Sequence, residues 1–192
     1  MNIVLIGPHG AGKTTLGQAL AARLCVPCHM EVGRVLADDL QWRPCNRDAT
    51  DAQIQFDAEV MRRELARDLA WPQAALRVVE TWHPGNLSYA LRRSEDQVAA
   101  WWPRLVDACH EPSVALVIDA PDAVLAERQT EHGDSGFFTS VGRYAATCCK
   151  LLGIPIVAEL DSRQPVQRLV KAAMLACRHQ IKASPRIYNQ GR

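Results

Sequence analysis

The stretch Gly7-Pro8-His9-Gly10-Ala11-Gly12-Lys13-Thr14 constrains this chain more than any other, because it fits the spacing G-x-x-x-x-G-K-[ST] of a phosphate-binding loop. Residues 1–6 before it form an unbroken apolar run, as a buried parallel strand requires. Residues 15–24 after it read as a helix with Leu16, Leu20 and Leu24 on one stripe. Glycines let the backbone curl so that several N–H groups meet one anion, and the helix start adds the positive end of its dipole. The expected triphosphate contacts are Gly7, His9, Gly10, Ala11, Gly12, Lys13, Thr14 and Thr15. Lys13 would reach the β- and γ-phosphates, and the Thr14 hydroxyl would take Mg²⁺. The bland alternative, a glycine turn with a surface lysine, does not account for the strand and helix on either side.

Strand-like and helix-like segments alternate through the rest of the chain. Residues 26–31 read as a second strand and 32–42 as a helix, broken at Pro44, Cys45 and Asn46. Thr50-Asp51-Ala52-Gln53 is a capping-box start for a helix with Ile54, Ala58, Met61, Leu65 and Leu69 as its apolar stripe, ending before Pro72. Residues 76–80, 114–118 and 156–160 give three further strands. Ser94 opens a helix expected to kink at Pro103, and Pro121 opens one running to Arg128. A helix bearing Phe137, Val141, Tyr144, Cys148 and Leu151 closes at Gly153, and Pro165 opens the last. Such alternation implies an α/β fold, a parallel sheet covered on both faces. Ligands of such sheets bind at the carboxyl ends of the strands, which directs attention to Glu31, Glu80 and Asp119.

Composition narrows the function classes. With 192 residues, 48% hydrophobic, the chain suits one globular domain with a proper core. Its net charge of +1 gives no broad footprint for nucleic acid or an anionic membrane. No apolar run approaches the roughly 20 residues of a membrane span, nor does the N-terminus resemble a cleavable leader, so a cytoplasmic location is expected. Seven cysteines are scattered among apparent helices and strands. Cys25-Val26-Pro27-Cys28 resembles a redox or zinc half-site but lacks a matching second pair.

Phosphoryl transfer to an alcohol needs one carboxylate to deprotonate the acceptor and another to hold Mg²⁺ with its waters. Glu31 and Glu80 are candidates for these roles, the alternative for each being a cap of a strand or helix start. Here the chain resembles a P-loop kinase of the thymidylate kinase and deoxynucleoside kinase group. The resemblance rests on GPHGAGKTT, the acidic end of strand two, VVET ending strand three, VALVIDAPDAVLAERQ, FFTSVGRYAATCCKLLGIPI and ELDSRQP. It implies a P-loop NTPase three-layer sandwich with a five-stranded parallel sheet and a lid at about 128–140, one domain over 1–181, and a tail at 182–192. It also implies Glu31 as the acceptor-side base and Glu80 as the water-mediated Mg²⁺ ligand. Arg128 and Arg143 would be lid arginines, and Arg163 would lie in the loop that packs the adenine of ATP. Thr81 stands where the group carries arginine, so Arg34, Arg92, Arg93 or His83 would have to supply that charge. Trp82 is the best-placed of Trp42, Trp82, Trp101 and Trp102 to stack on an acceptor base, with core packing as the alternative for each.

The expected activity is therefore an ATP- and Mg²⁺-dependent kinase acting on a nucleoside, nucleotide or similar acceptor, with Arg34, Trp82 and His83 as acceptor contacts. Alternatives are a hydroxymethylated base in DNA, which the net charge does not favour, or a specialised metabolite. A regulatory NTPase switch is disfavoured by the absence of N-K-x-D and D-x-x-G patterns. No membrane partner is expected, and a homodimer is compatible with the sequence.

Overall fold

The computed structural model describes residues 1–41, 50–72, 75–129 and 135–183. In chain order these form β1 (Asn2–Ile6), α1 (Lys13–Leu24), β2 (Cys28–His29), α2 (Val32–Asp39), α3 (Asp51–Ala70), β3 (Arg77–Glu80) and α4 (Trp82–Ala90). Then follow α5 (Glu95–Ala108), β4 (Ser113–Asp119), α6 (Asp122–Arg128), α7 (Ser135–Leu151), β5 (Ile156–Asp161), α8 (Val166–Ala176) and α9 (Arg178–Ala183). Trp42, the break at Pro44, Cys45 and Asn46, lid positions 130–134 and tail positions 184–192 lie outside the described residues.

The strands form one parallel sheet in the order β2-β3-β1-β4-β5. β1 is central, and its alternation divides the core. Ile3 and Leu5 join Leu16, Leu20, Leu116 and Leu169 on the α1/α8 face, whereas Val4 and Ile6 join Met61, Leu87, Leu105 and Cys148 on the other. Every β1 side chain is buried, as expected for a strand with a helical layer on each side. The chain leaves β1 towards β2 and β3 on one flank and later builds β4 and β5 on the other. This reversal opens a crevice at the carboxyl end of β1, beside the glycine loop. Among the described residues no helix is long and apolar enough to cross a membrane.

Several sequence expectations hold locally. The Thr50–Gln53 capping box forms in both directions, and Gly153 follows α7 with φ 69°. α1 ends without a glycine: Cys25 takes the left-handed conformation (φ 55°), and its N–H and that of Val26 donate to Ala22 and Ala21. Cys25 is thus a helix cap and Cys28 a strand residue; among the described residues no group of three or more His, Cys, Asp or Glu converges as a metal site would need. α5 runs through Pro103, and α9 continues through Ala183, past the expected start of the tail.

Two expectations are corrected and one helix is added. β2 is only Cys28–His29, because its register against β3 pairs Cys28 with Val78 and His29 with Val79; Glu31 lies beyond the ladder and caps α2 instead. A helix, α4, also starts directly after β3 and includes His83-Pro84-Gly85, for which no element is expected from the sequence. Pro84 falls within the first turn, where N–H groups lack helical partners in any case. Finally, α3 buries only Met61 of the stripe expected of it. Ile54, Ala58 and Leu65 are half-buried and Leu69 is 90% exposed, whereas Gln53, Asp57, Val60 and Glu64 face inward beside Met61. Of its inward carboxylates, Asp57 meets Arg93 beyond α4, and Glu64 meets Arg67 of α3 itself and Asn86 of α4; these partners outweigh the weak apolar periodicity.

Candidate active site

The glycine loop leaves β1 under tight steric constraint. Gly7 has φ 143°, and a Cβ there would lie 1.9 Å from the Ile118 carbonyl oxygen of β4. Gly10 and Gly12 also have positive φ, and Gly12 caps α1. Lys13 folds back so that Nζ donates to the Gly7 and Pro8 carbonyls at 2.9 and 3.0 Å. Burial pushes its pKa down, and the charges of Glu31 and Glu80 oppose that shift.

Thr14 joins three elements at one hydroxyl. Its Oγ1 donates to Glu80 Oε2 at 2.9 Å and accepts from Arg34 Nη1 at 2.9 Å, while Arg34 Nη2 lies 4.0 Å from Glu31 Oε2. The start of α1, the end of β3 and the start of α2 therefore converge. Glu80 is buried; desolvation raises its pKa, and the bond from Thr14 and the charge of Arg34 pull it back. Its second oxygen, Oε1, is buried without a partner among the described residues. A hydroxyl beside an unsatisfied carboxylate oxygen is a hard-oxygen donor set of the kind Mg²⁺ takes with waters filling the remaining positions. The residues present therefore fit the metal.

After Glu80 the chain turns sharply. Thr81 has φ 65° and ψ −59°, and Trp82 has φ 45°. Such conformations cost a β-branched residue about 1–3 kcal/mol. The Thr81 N–H donates to Leu5 at 2.8 Å, and a Cβ on Gly85 would lie 2.2 Å from the Thr81 methyl. The bend is thus held from both sides at the position where the resemblance calls for arginine.

The other predicted residues divide into those brought to the loop and those held elsewhere. Arg128 Nη1 donates to Ser162 Oγ at 2.9 Å and lies 3.4 Å from the Gly10 carbonyl, so the end of α6 reaches both the glycine loop and the turn after β5. His9 faces Phe138 with ring centroids 6.0 Å apart, and its carbonyl accepts from buried Gln129. Thr15 is exposed on α1. Arg143 is gripped by Asp119 (2.8 Å) and Asp122 (2.7 Å), and Arg163 pairs with Asp161 at 2.7 Å. Trp82 and His83 are fully buried and face away from any stacking role. Trp82 Nε1 donates to Asp68 Oδ2 at 2.9 Å, and His83 Nε2 lies 2.7 Å from the same oxygen. Neither ring exposes a face to an acceptor, so both acceptor-contact expectations are corrected.

Several residues near the site carry no signal in the sequence. Along α3, Asp57 meets Arg93, Glu64 meets Arg67 and Asn86, and Asp68 meets Arg77, Trp82 and His83. This charged seam binds α3 to α4 and β3. Its only trace in the sequence is acidic residues seven and four apart, indistinguishable from a solvated face. Gly142 on α7 carries no such signal either. A Cβ there would lie 2.3 Å from Pro8 Cα and 2.8 Å from the Gly7 carbonyl carbon, so α7 rests directly on the glycine loop.

Comparison with known proteins places these features. The model of the AAA_28 family, described as an AAA domain, matches residues 2–136. An adenylate kinase of Syntrophomonas wolfei subsp. wolfei is 28% identical over 134 residues, covering 67% of this chain; the chain spans 57% of that curated relative's length. The NadR protein, solved in complex with NAD and AMP-PNP, superposes with a TM-score of 0.64 at 15% identity, over 100% of this chain and 51% of that one. The deoxyadenosine kinase of M. mycoides with bound dCTP gives 0.64 at 12% identity, over 93% of this chain and 100% of that one. At these identities the two structures show the fold alone, a five-stranded parallel α/β sandwich of the P-loop kinase kind. The chain belongs to the AAA_28 family of AAA domains.

Proposed function

We propose that this chain is an ATP- and Mg²⁺-dependent phosphotransferase acting on a small nucleoside-like acceptor. The observation that carries the reading is the Thr14 hydroxyl, held between Glu80 and Arg34 one residue beyond a buried lysine of the glycine loop. A switch has no need of an acidic residue on the acceptor side, and here Glu31 lies 4.0 Å from Arg34. Similarity to adenylate kinase, and a fold shared with a deoxyadenosine kinase, support the same reaction class.

In this reading the loop amides and Lys13 hold the triphosphate. Lys13 exchanges its contacts with the Gly7 and Pro8 carbonyls for phosphate oxygens, which restores a fully charged partner to a buried ammonium. Thr14 and Glu80 would hold Mg²⁺, which when bound would neutralise oxygen charge on the transferring group. Glu31 accepts the proton of the acceptor hydroxyl as its oxygen bonds to the γ-phosphorus and the bond to the leaving diphosphate breaks. Arg34, not the residue after Glu80, supplies the positive charge on the acceptor side. Arg128 closes over the donor from the lid root, and Arg143 joins it once released from Asp119 and Asp122. Arg163 borders the adenine.

The test is transfer of radiolabelled γ-phosphate from ATP across nucleosides, nucleoside monophosphates and hydroxylated metabolites, with Lys13→Ala as blank. Label in an acceptor, lost in the blank, supports the kinase. ATP hydrolysis at equal rate with and without every acceptor overturns it.

A further inference from the structure

Gln129 places an amide where an apolar side chain would pack at lower cost. It caps α6 at its C-terminal end, is 2% exposed, and stands where the chain enters lid positions 130–134. Its Nε2 donates to the His9 carbonyl of the glycine loop. A carbonyl oxygen only accepts, so this contact fixes which end of the amide faces the loop. The other end, Oε1, is buried without a partner among the described residues. An unpaired buried amide oxygen costs at least as much as one hydrogen bond returns, and methionine would fill a similar volume without that cost. For stability alone, the amide brings no gain.

What the contact does is set the direction of one loop peptide. Across a planar trans peptide the carbonyl and the following N–H point in opposite directions. Holding the His9 carbonyl on Gln129 therefore turns the Gly10 N–H away from α6. Among the described residues no carbonyl takes that N–H, whereas the Ala11 N–H donates to the Pro8 carbonyl at 3.2 Å. Gly10 is also what lets Gln129 come so near. Its φ is 76°, and a Cβ there would lie 3.3 Å from both Arg128 Cβ and Gln129 Cγ. On α7, Gly142 bears on Gly7 and Pro8. The two helices that flank the lid positions thus rest on four consecutive loop residues, Gly7 to Gly10.

We propose that Gln129 is a positioning residue for the phosphate donor: its amide holds the His9–Gly10 peptide so that the Gly10 N–H faces the triphosphate. This rests on the reading of the glycine loop as the triphosphate site. Gln129 touches no reacting atom and acts through the loop main chain alone. Its contribution is preorganisation, because a peptide already held in the binding orientation has less freedom to lose when an anion binds. The amide therefore serves nucleotide affinity at the expense of packing, the kind of local conflict expected at a functional position. Stability and affinity should separate when it is replaced.

The experiment measures binding of AMP-PNP with Mg²⁺ to the full chain by calorimetry, beside the melting temperature without nucleotide. Gln129→Met should weaken AMP-PNP binding roughly three- to tenfold, as for one net hydrogen bond, with a melting temperature equal to the parent's or higher. In Gln129→Glu the side chain donates to His9 only while protonated. Its affinity relative to the parent's should therefore fall as pH rises through the titration of that carboxyl, ending at or below that of Gln129→Met. Equal affinity in the parent and Gln129→Met overturns the inference. So does a Gln129→Met protein that melts lower or fails to fold, since Gln129 is then an ordinary packing residue. A ratio of Gln129→Glu to parent affinity that is flat with pH overturns the donor role as well. A parent protein that binds no AMP-PNP overturns the reading of the loop and this inference with it. Nucleotide bound in the expected pattern by a chain that phosphorylates no acceptor overturns the kinase and leaves Gln129 where it is placed here.

Discussion

The two sides of the crevice are built in opposite ways. On the donor side, Gly7 to Thr14 are consecutive, and the bonds that shape the loop run from Lys13 to carbonyls five and six residues earlier. On the proposed acceptor side, α2 and β3 each contribute a side chain, and the bonds that meet at the Thr14 hydroxyl span 20 and 66 residues: Arg34 to Thr14 and Thr14 to Glu80. The donor side is nearly all backbone, whereas the acceptor side is almost entirely side chain. A site made of main-chain amides holds a group common to many ligands. A site made of side chains can change its ligand by substitution without disturbing the fold.

Substitutions that separate the two sides test this contrast. Lys13→Ala should have the largest effect, cutting transfer on the order of a thousandfold and weakening ATP binding as well, since one ammonium serves both steps. Rapid-quench kinetics with a nucleotide titration would check it; a variant that keeps its ATP affinity would place Lys13 outside the triphosphate cradle. Glu31→Gln should lower turnover on the order of a hundredfold and leave ATP affinity nearly unchanged. Loss of ATP affinity in that variant would show Glu31 to be part of the scaffold, erasing the division drawn here.

Gly142→Ala probes how far the donor loop depends on a distant helix. A methyl 2.3 Å from Pro8 Cα must push α7 away. Overpacking of this kind costs about 1–3 kcal/mol, lowering the melting temperature by roughly 2–4 °C per kcal/mol, and nucleotide affinity should fall with it. An unchanged melting curve would mean that α7 and the loop yield freely.

The smallest effect lies at the far end of the seam. Burial, helped by the charges of Arg67 and Arg77, pushes the His29 pKa down to about 4 from 6.5. The folded protein then binds fewer protons than the unfolded chain between those values. This part of the stability is present above pH 6.5 and is lost as pH falls through the window. Asp57 and Glu64, raised chiefly by burial, act with the opposite sign. Comparing His29→Phe with the parent protein isolates the histidine: the variant should lose less stability between pH 6.5 and pH 4 in denaturant titrations. Parallel curves would show that His29 is solvated in the folded state.

Legibility in the sequence followed the range of the interactions. The glycine loop, the Thr50–Gln53 box and the Gly153 terminus were readable because each is satisfied within a few residues. α4 was hidden because proline and glycine are breakers in mid-helix, yet Pro84 occupies the first turn and Gly85 makes room for the Thr81 methyl. Helix α3 misled because periodicity assumes that carboxylates face water, and here Arg67, Arg77 and Arg93 meet them inside. Trp82 and His83 were misplaced for the same reason: two residues from a strand end reads as the mouth of the site, but the bend at Thr81 turns both rings into the core on Asp68.

By itself, then, the order of residues determined the alternation of strands and helices, the parallel sheet and the phosphate loop. Each of these follows from apolar runs, local hydrogen bonding and the steric freedom of glycine. Only tertiary structure decided which charges would be buried together, that Arg34 would meet Thr14 from another helix, and that α7 would lie on the loop at Gly142. The reason is physical: a side chain's partner across the fold depends on how layers pack, and one carboxylate on a helix is chemically the same whether it faces water or an arginine.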